Sequence, residues 1–167
     1  VSALNTMASR FVTIHIHRGE EQEAREYFSS VFFGNVIMAG IFLLPALVIV
    51  IFMGNLPFLH VPADALHDVQ LLWAFVFLNF FLSIIMSIYS VSTYAMNRLD
   101  LTSIRSMYAD ILRIIFLFGT FLLWRPALWL VGAASLISTC YTAFWNRRYT
   151  RQLLPGITVR RQDFRWK

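Results

Sequence analysis

The sequence predicts an all-α membrane protein, a polytopic helix bundle with four complete transmembrane helices and one truncated one. Three observations carry this. Of the 167 residues, 58% are hydrophobic and 14% charged, against roughly 45–50% and 25% in soluble domains. Low-charge runs recur that are long enough to cross a hydrocarbon core of about 30 Å at about 1.5 Å per helical residue. Lys and Arg also alternate in number from one connection to the next, as they do across membranes.

The elements follow in chain order. Residues 1–17 read as the end of a truncated span, because an apolar stretch is already under way at Val1. With the basic tail ending at Lys167, this marks the sequence as an interior piece of a longer protein. Residues 18–30 contain GEEQEAREYF, with acids before Arg25 as a helix dipole favours, and predict a short interfacial helix. Residues 31–53 and 69–96 carry no charge and predict the first two complete spans. The third, 103–124, has an unbroken apolar run of only eleven residues, Ile114–Trp124, so it must extend back through Arg113 and Asp110. The fourth, 127–145, is 19 uncharged residues after a tight Arg125-Pro126 turn. Residues 146–167 form a basic linker. Pro45 and Gly40 are breakers that neighbouring helices can accommodate in a span.

Lys and Arg number three, zero, three, one and seven over the successive connections. Only one orientation satisfies the positive-inside rule: the regions near residues 20, 100 and 150 face the cytoplasm, and those near 60 and 125 the outside. The net charge of +5 needs no nucleic acid, because seven of the fourteen basic residues follow Trp145, beside a membrane-length segment. Those residues, interleaved with Tyr149, Phe164 and Trp166, suit anionic headgroups of membrane lipid. The single Cys140 supports neither a disulfide framework nor a Cys-based zinc site and reads as a packing residue.

Winding the second span at 100° per residue brings Asn79, Ser83, Ser87, Ser90, Tyr94 and Asn97 within an arc of about 80°. Gly132, Ser135, Thr139, Thr142 and Asn146 align likewise on the fourth span, and Thr102, Ser106, Asp110, Arg113 and Thr120 on the third. The truncated stretch aligns Ser2, Asn5, Thr6, Ser9 and Thr13, with Arg10 at the edge. Small and hydroxylated residues at such spacing serve close helix packing or line a shared polar cavity. Arg113 is the sharpest of them. An arginine near the centre of a span costs roughly 2.5–3.5 kcal/mol on insertion scales, so it faces a cavity, pairs with Asp110, or snorkels to the surface. Arg105 reads as an interfacial anchor.

No phosphate-binding glycine loop, zinc-protease HExxH or nucleophile elbow occurs, so neither enzyme chemistry nor a cofactor is expected. His60, Asp64, His67 and Asp68 are the one external cluster of catalytic residue types, without a metal-ligand pattern. His15 and His17, two apart, point to opposite sides of a helix.

The order of features resembles bacterial polysaccharide-unit flippases, the Wzx or RfbX type of the multidrug/oligosaccharidyl-lipid/polysaccharide exporter superfamily. The residues that carry the resemblance are Asn5, Arg10-Phe11, the linker Gly19 to Arg25, and Phe28 opening the next span. At the far end they are Leu154-Pro155-Gly156-Ile157-Thr158-Val159 and Phe164, similar to the connection between the two lobes of that family. The resemblance implies spans three to six of a two-lobe exporter in the bacterial inner membrane. It implies movement of an undecaprenyl-diphosphate-linked oligosaccharide from the cytoplasmic to the periplasmic leaflet, for O-antigen or other surface polysaccharide. Arg10, Asn79, Ser83, Ser87, Ser90, Tyr94, Asp110, Arg113, Thr120, Ser135, Thr139 and Thr142 are the substrate-path candidates. A multidrug-type exporter coupled to cations, a polytopic membrane glycosyltransferase or acyltransferase, and a structural membrane subunit are the competing readings.

Overall fold

The computed structural model describes residues 2–53, 62, 65–123, 127–157 and 159, and the side chains of these from Thr6 onward. The elements are α1 (Ser2–His17), α2 (Glu21–Phe52), α3 (Leu66–Met86), a 3-10 turn (Ser87–Ser90), α4 (Val91–Ala95), α5 (Leu99–Leu123) and α6 (Trp129–Leu153). Among the described residues three helical stretches are long and apolar enough to cross a membrane: Glu21–Phe52, Leu66–Ala95 and Leu99–Leu123. The fourth predicted span falls in α6. At 25 residues α6 is long enough, but Ser135, Ser138, Thr139, Thr142 and Asn146 make it less apolar than the other three.

Residues 21–30 do not form a separate interfacial helix. They run without a break into the first predicted span, giving a helix of 32 residues, about 48 Å long. That exceeds the hydrocarbon thickness by several turns, so the charged first turns can stand outside the apolar layer while the rest crosses it. Pro45 lies inside the helix without ending it. The second predicted span is interrupted: α3 ends at Met86, and the 3-10 turn carries the chain into α4. Hydroxyl chemistry explains the change of pitch. Ser87, Ser90, Ser92 and Thr93 each donate to the carbonyl three residues back, those of Ile84, Ser87, Tyr89 and Ser90. These bonds favour the tighter turn over the helical repeat.

Two turns close in the same way at one end of the bundle. After α1, Gly19 adopts φ 77°; its N–H donates to Ile16 and that of Glu20 to His15. After α4, Asn97 adopts φ 51°, with Asn97 donating to Tyr94 and Arg98 to Thr93. Both are Schellman motifs, built on the two residue types that best tolerate the left-handed region.

The helices pack as a row, α2 on α3, α3 on α6 and α6 on α5, with α1 against α2 and α4. Apolar side chains such as Leu44, Phe118 and Leu122 cover the outside, as a lipid-facing surface requires. Packing between helices relies on small residues. Gly132 of α6 sits where α3 crosses, and a Cβ there would lie 2.8 Å from the Cβ of Phe75 and 3.3 Å from the carbonyl oxygen of Leu72. Gly132→Val is therefore expected to push α6 off α3, at a cost of about 1–3 kcal/mol. A lower melting temperature of the purified full-length protein checks this; an unchanged one contradicts the crossing.

The main apolar cluster lies at the end where the two Schellman turns meet the end of α6. Ala8 and Val12 of α1, Ala24 and Phe28 of α2, Val91 of α4 and the returning Leu154 and Ile157 are all buried in it. The stretch expected to be a linker from residue 146 is thus helical to Leu153, and its next residues dock into the core. Cys140 is not a buried packing residue: it is exposed on α6, because the small residues that α6 buries are Gly132, Ala134 and Ala143.

Candidate functional site: the polar faces and the basic end

The end that holds the main cluster is also the basic end: Arg18, Arg25, Arg98, Arg147, Arg148 and Arg151 outnumber Glu20, Glu21, Glu23, Glu26 and Asp100 there, and the excess lies on α6. Its interior is polar. The Thr150 hydroxyl lies 3.0 Å from the Tyr89 carbonyl, 2.9 Å from Ser92 Oγ and 2.9 Å from the Asn146 carbonyl. It ties α6 to the segment between α3 and α4. Thr102 Oγ1 reaches Thr93 Oγ1 at 3.0 Å, joining α5 to α4. Arg98 clasps Asp100 through Nε and Nη2, at 3.0 and 3.1 Å, a hydrogen bond that raises the arginine's pKa. Aromatic rings follow one another along the end of α6, with Trp145 tilted against both Tyr141 and Tyr149. The Arg148 guanidinium lies 5.2 Å from the Trp145 ring, a cation–π contact of the kind found at headgroup depth.

Arg105 departs from its expected role as an interfacial anchor. It is 6% exposed, on the side of α5 that also buries Ala109. Its Nε and Nη1 are shielded and have no hydrogen-bond partner among the described residues. Among the described residues, Tyr149 of α6 is close enough to interact with it electrostatically. Helical periodicity within α5 could not reveal this, because the burial is imposed by α6.

The predicted path residues divide into three groups. The hydroxyls of Ser87, Ser90, Thr120 and Ser135 donate to carbonyls of their own helical stretch, so they are satisfied wherever they face. Ser87 also accepts from Asn35 Nδ2 at 3.4 Å. Asn79, Thr139 and Thr142 are half-buried, Ser83 and Tyr94 exposed. Asn79 Oδ1 is shielded without a partner among the described residues. Arg10, Asp110 and Arg113 are exposed. Ser87 and Ser90 are brought together; no ion pair joins Asp110 to Arg113 among the described residues.

The exposed charges on α5 are the informative ones. Arg113 lies 14 residues beyond Leu99 in a 25-residue helix, about 21 Å along it and close to mid-span. With Thr102, Ser106 and Asp110 it forms a polar strip beside the seam with α6. Ile111 and Ile115, on the opposite side, are exposed and wholly apolar. One side of α5 suits lipid and the other does not.

A cluster missed in the sequence lies at the first Schellman turn. His15 Nδ1 is 2.7 Å from Glu20 Oε2 and 3.1 Å from Glu23 Oε2, and its ring stacks on Tyr27 at 5.3 Å. One ligand atom from each of His15, Glu20 and Glu23 can lie within 4.8 Å of the others, spacing that a divalent cation can bridge. The signal was the Gly19 turn, which folds the start of α2 back onto the end of α1. His17 instead binds the Thr13 carbonyl. Of the external cluster, His67 is exposed and Asp68 half-buried at the start of α3. His60 and Asp64 lie outside the described residues.

The chain is similar to a protein of Bacillus subtilis (strain 168) named "Uncharacterized membrane protein EpsK", 24% identical over 165 residues. Three of the chain's helices are apolar and of membrane length. The chain is a membrane protein. The match covers 99% of this chain and 32% of the relative, so the chain spans about a third of that protein's length. No family model matches the chain, and no solved structure matches it.

Proposed function

We propose that this chain forms part of a non-enzymatic transporter that moves a lipid-linked oligosaccharide across the bacterial inner membrane, from the cytoplasmic to the periplasmic leaflet. The observation that carries the reading is the polar strip on α5. Asp110 and Arg113 stand near mid-span, exposed and not paired with each other, and a lipid environment there would cost roughly 2.5–3.5 kcal/mol per charge. Water and the rest of the protein are the environments that remove this cost. A wet passage along this side offers guanidinium and hydroxyl groups to an anionic diphosphate and its sugars, while the polyprenyl tail stays in lipid. α6 belongs to the spanning bundle on this reading, as the fourth span, and the basic end faces the cytoplasm.

The sequence resemblance to polysaccharide-unit flippases and the similarity to a membrane protein about three times as long both favour a piece of a larger carrier. The test uses the full-length protein in proteoliposomes that hold an undecaprenyl-diphosphate-linked oligosaccharide in both leaflets. Inner-leaflet sugar becoming accessible to an external lectin only when the protein is present is the expected result. Accessibility equal to that of protein-free vesicles overturns the proposal, and transfer of the sugar to another acceptor points to a glycosyltransferase.

A further inference from the structure

We propose that the α5–α6 seam at the basic end is an anion site, in which the Arg105 guanidinium receives a phosphate oxygen of a membrane-lipid headgroup. Arg105 is buried, and its Nε and Nη1 lack any acceptor among the described residues. A guanidinium left in that state is costly, because these two nitrogens have lost water without gaining an acceptor.

The described part of the chain has no carboxylate placed to supply the acceptor. α6 contains no Asp or Glu at all. On α5 the acids are Asp100, held by Arg98, and Asp110, which is five residues from Arg105 and so about 140° around the helix. The charges that α6 carries at the same end are instead all cationic, Arg147, Arg148 and Arg151. Such a field draws an anion from outside, and the planar fork of arginine fits two phosphate oxygens at once.

Depth favours a lipid as the source. Arg105 is six residues into α5, about 9 Å from the helix start, so its long side chain is within snorkelling reach of the interfacial layer where phosphates reside. The Trp145 and Tyr149 rings on α6 are the side chains typical of that layer. Access to the buried Arg105 requires the seam to open. α5 packs on α6 and α4, and it joins α4 through Asn97 in the left-handed region. Parting α5 from α6, with release of the Thr102–Thr93 contact to α4, would bring Arg105 to the headgroups without unpacking α1 to α3.

The phosphate belongs either to a bulk phospholipid or to the polyprenyl diphosphate of the proposed cargo; only the second source rests on the transporter reading. Binding of undecaprenyl diphosphate and of phosphatidylglycerol to detergent-purified full-length protein, followed by native mass spectrometry, separates them. Arg105→Gln is expected to weaken at least one of the two by about tenfold or more, and Arg105→Lys by less, because charge survives while the fork is lost. Loss of the diphosphate alone assigns the site to cargo, and loss of both assigns it to headgroups in general. Should Arg105→Gln fail to fold, the same comparison is made with Arg105→Lys, for which weakened binding at normal melting temperature is expected. Unchanged binding of both lipids in a folded variant overturns the proposal. So does lower stability with unchanged binding, which would place a carboxylate elsewhere in the full-length protein against Arg105. Lipid binding lost with Arg105 in a protein that moves no oligosaccharide would leave this site standing and remove the transporter reading.

Discussion

Arg113→Ala in the full-length protein is expected to lower translocation of the lipid-linked oligosaccharide by about 10- to 100-fold, with normal amounts of protein in the membrane. The magnitude follows from losing one or two hydrogen bonds between a guanidinium and an anion, worth roughly 1.5–3 kcal/mol. Folding should be spared because Arg113 is exposed among the described residues. Its removal even relieves the cost of carrying a charge at mid-span. Arg113→Lys should retain part of the rate, since a point charge remains without the planar fork. Full transport by Arg113→Ala would take this residue out of the path, and the strip on α5 would need another purpose.

Phe28→Ala is the substitution expected to damage the fold most. Phe28 is fully buried and meets Tyr89 edge-on at 5.6 Å, within the cluster that joins α1, α2, α4 and the residues after α6. A large-to-small change at such a site costs about 3–5 kcal/mol, through the cavity it leaves as well as the lost transfer energy. In the lipid-embedded part of a bundle the transfer part would shrink, because hydrocarbon surrounds both states. At the basic end, beside polar and charged groups, both contributions act. Set against a typical total of about 5–15 kcal/mol, the loss is severe. A large fall in melting temperature and aggregation on size-exclusion chromatography are the expected readouts. A variant as stable as the parent would mean that the cluster does not hold this end together.

Much of the helical plan was legible in the sequence. Uncharged runs of membrane length, bounded by Gly19, Asn97 and basic residues, leave few alternatives to spans, and the observed helices fall where those runs lie. Boundaries were harder to read. The apparent break between residues 30 and 31 marked a change of solvent rather than of backbone, and α2 continues through it. The polar wheel of the second span lost its register after Ser87, where a 3-10 turn advances each residue by about 20° more than an α-helix. Side chains placed by another helix were not legible at all. Arg105 is buried by α6, Gly132 is required by Phe75 and Leu72, and His15 meets Glu20 and Glu23 only because the Gly19 turn reverses the chain. In each case the deciding neighbour lies outside the window that periodicity inspects.

On the transporter reading the Ser106–Asp110–Arg113 side of α5 faces water, while the Ile111–Ile115 side faces lipid. Single cysteines at these places, introduced as Ser106→Cys, Asp110→Cys, Ile111→Cys and Ile115→Cys in a Cys140→Ala background, measure it directly. They are treated with a charged, membrane-impermeant thiol reagent in the full-length protein in native membranes. Rapid labelling at 106 and 110 with none at 111 and 115 is the predicted result. Equal protection of all four positions would contradict it, because the strip would then lie in dry helix contacts or in lipid.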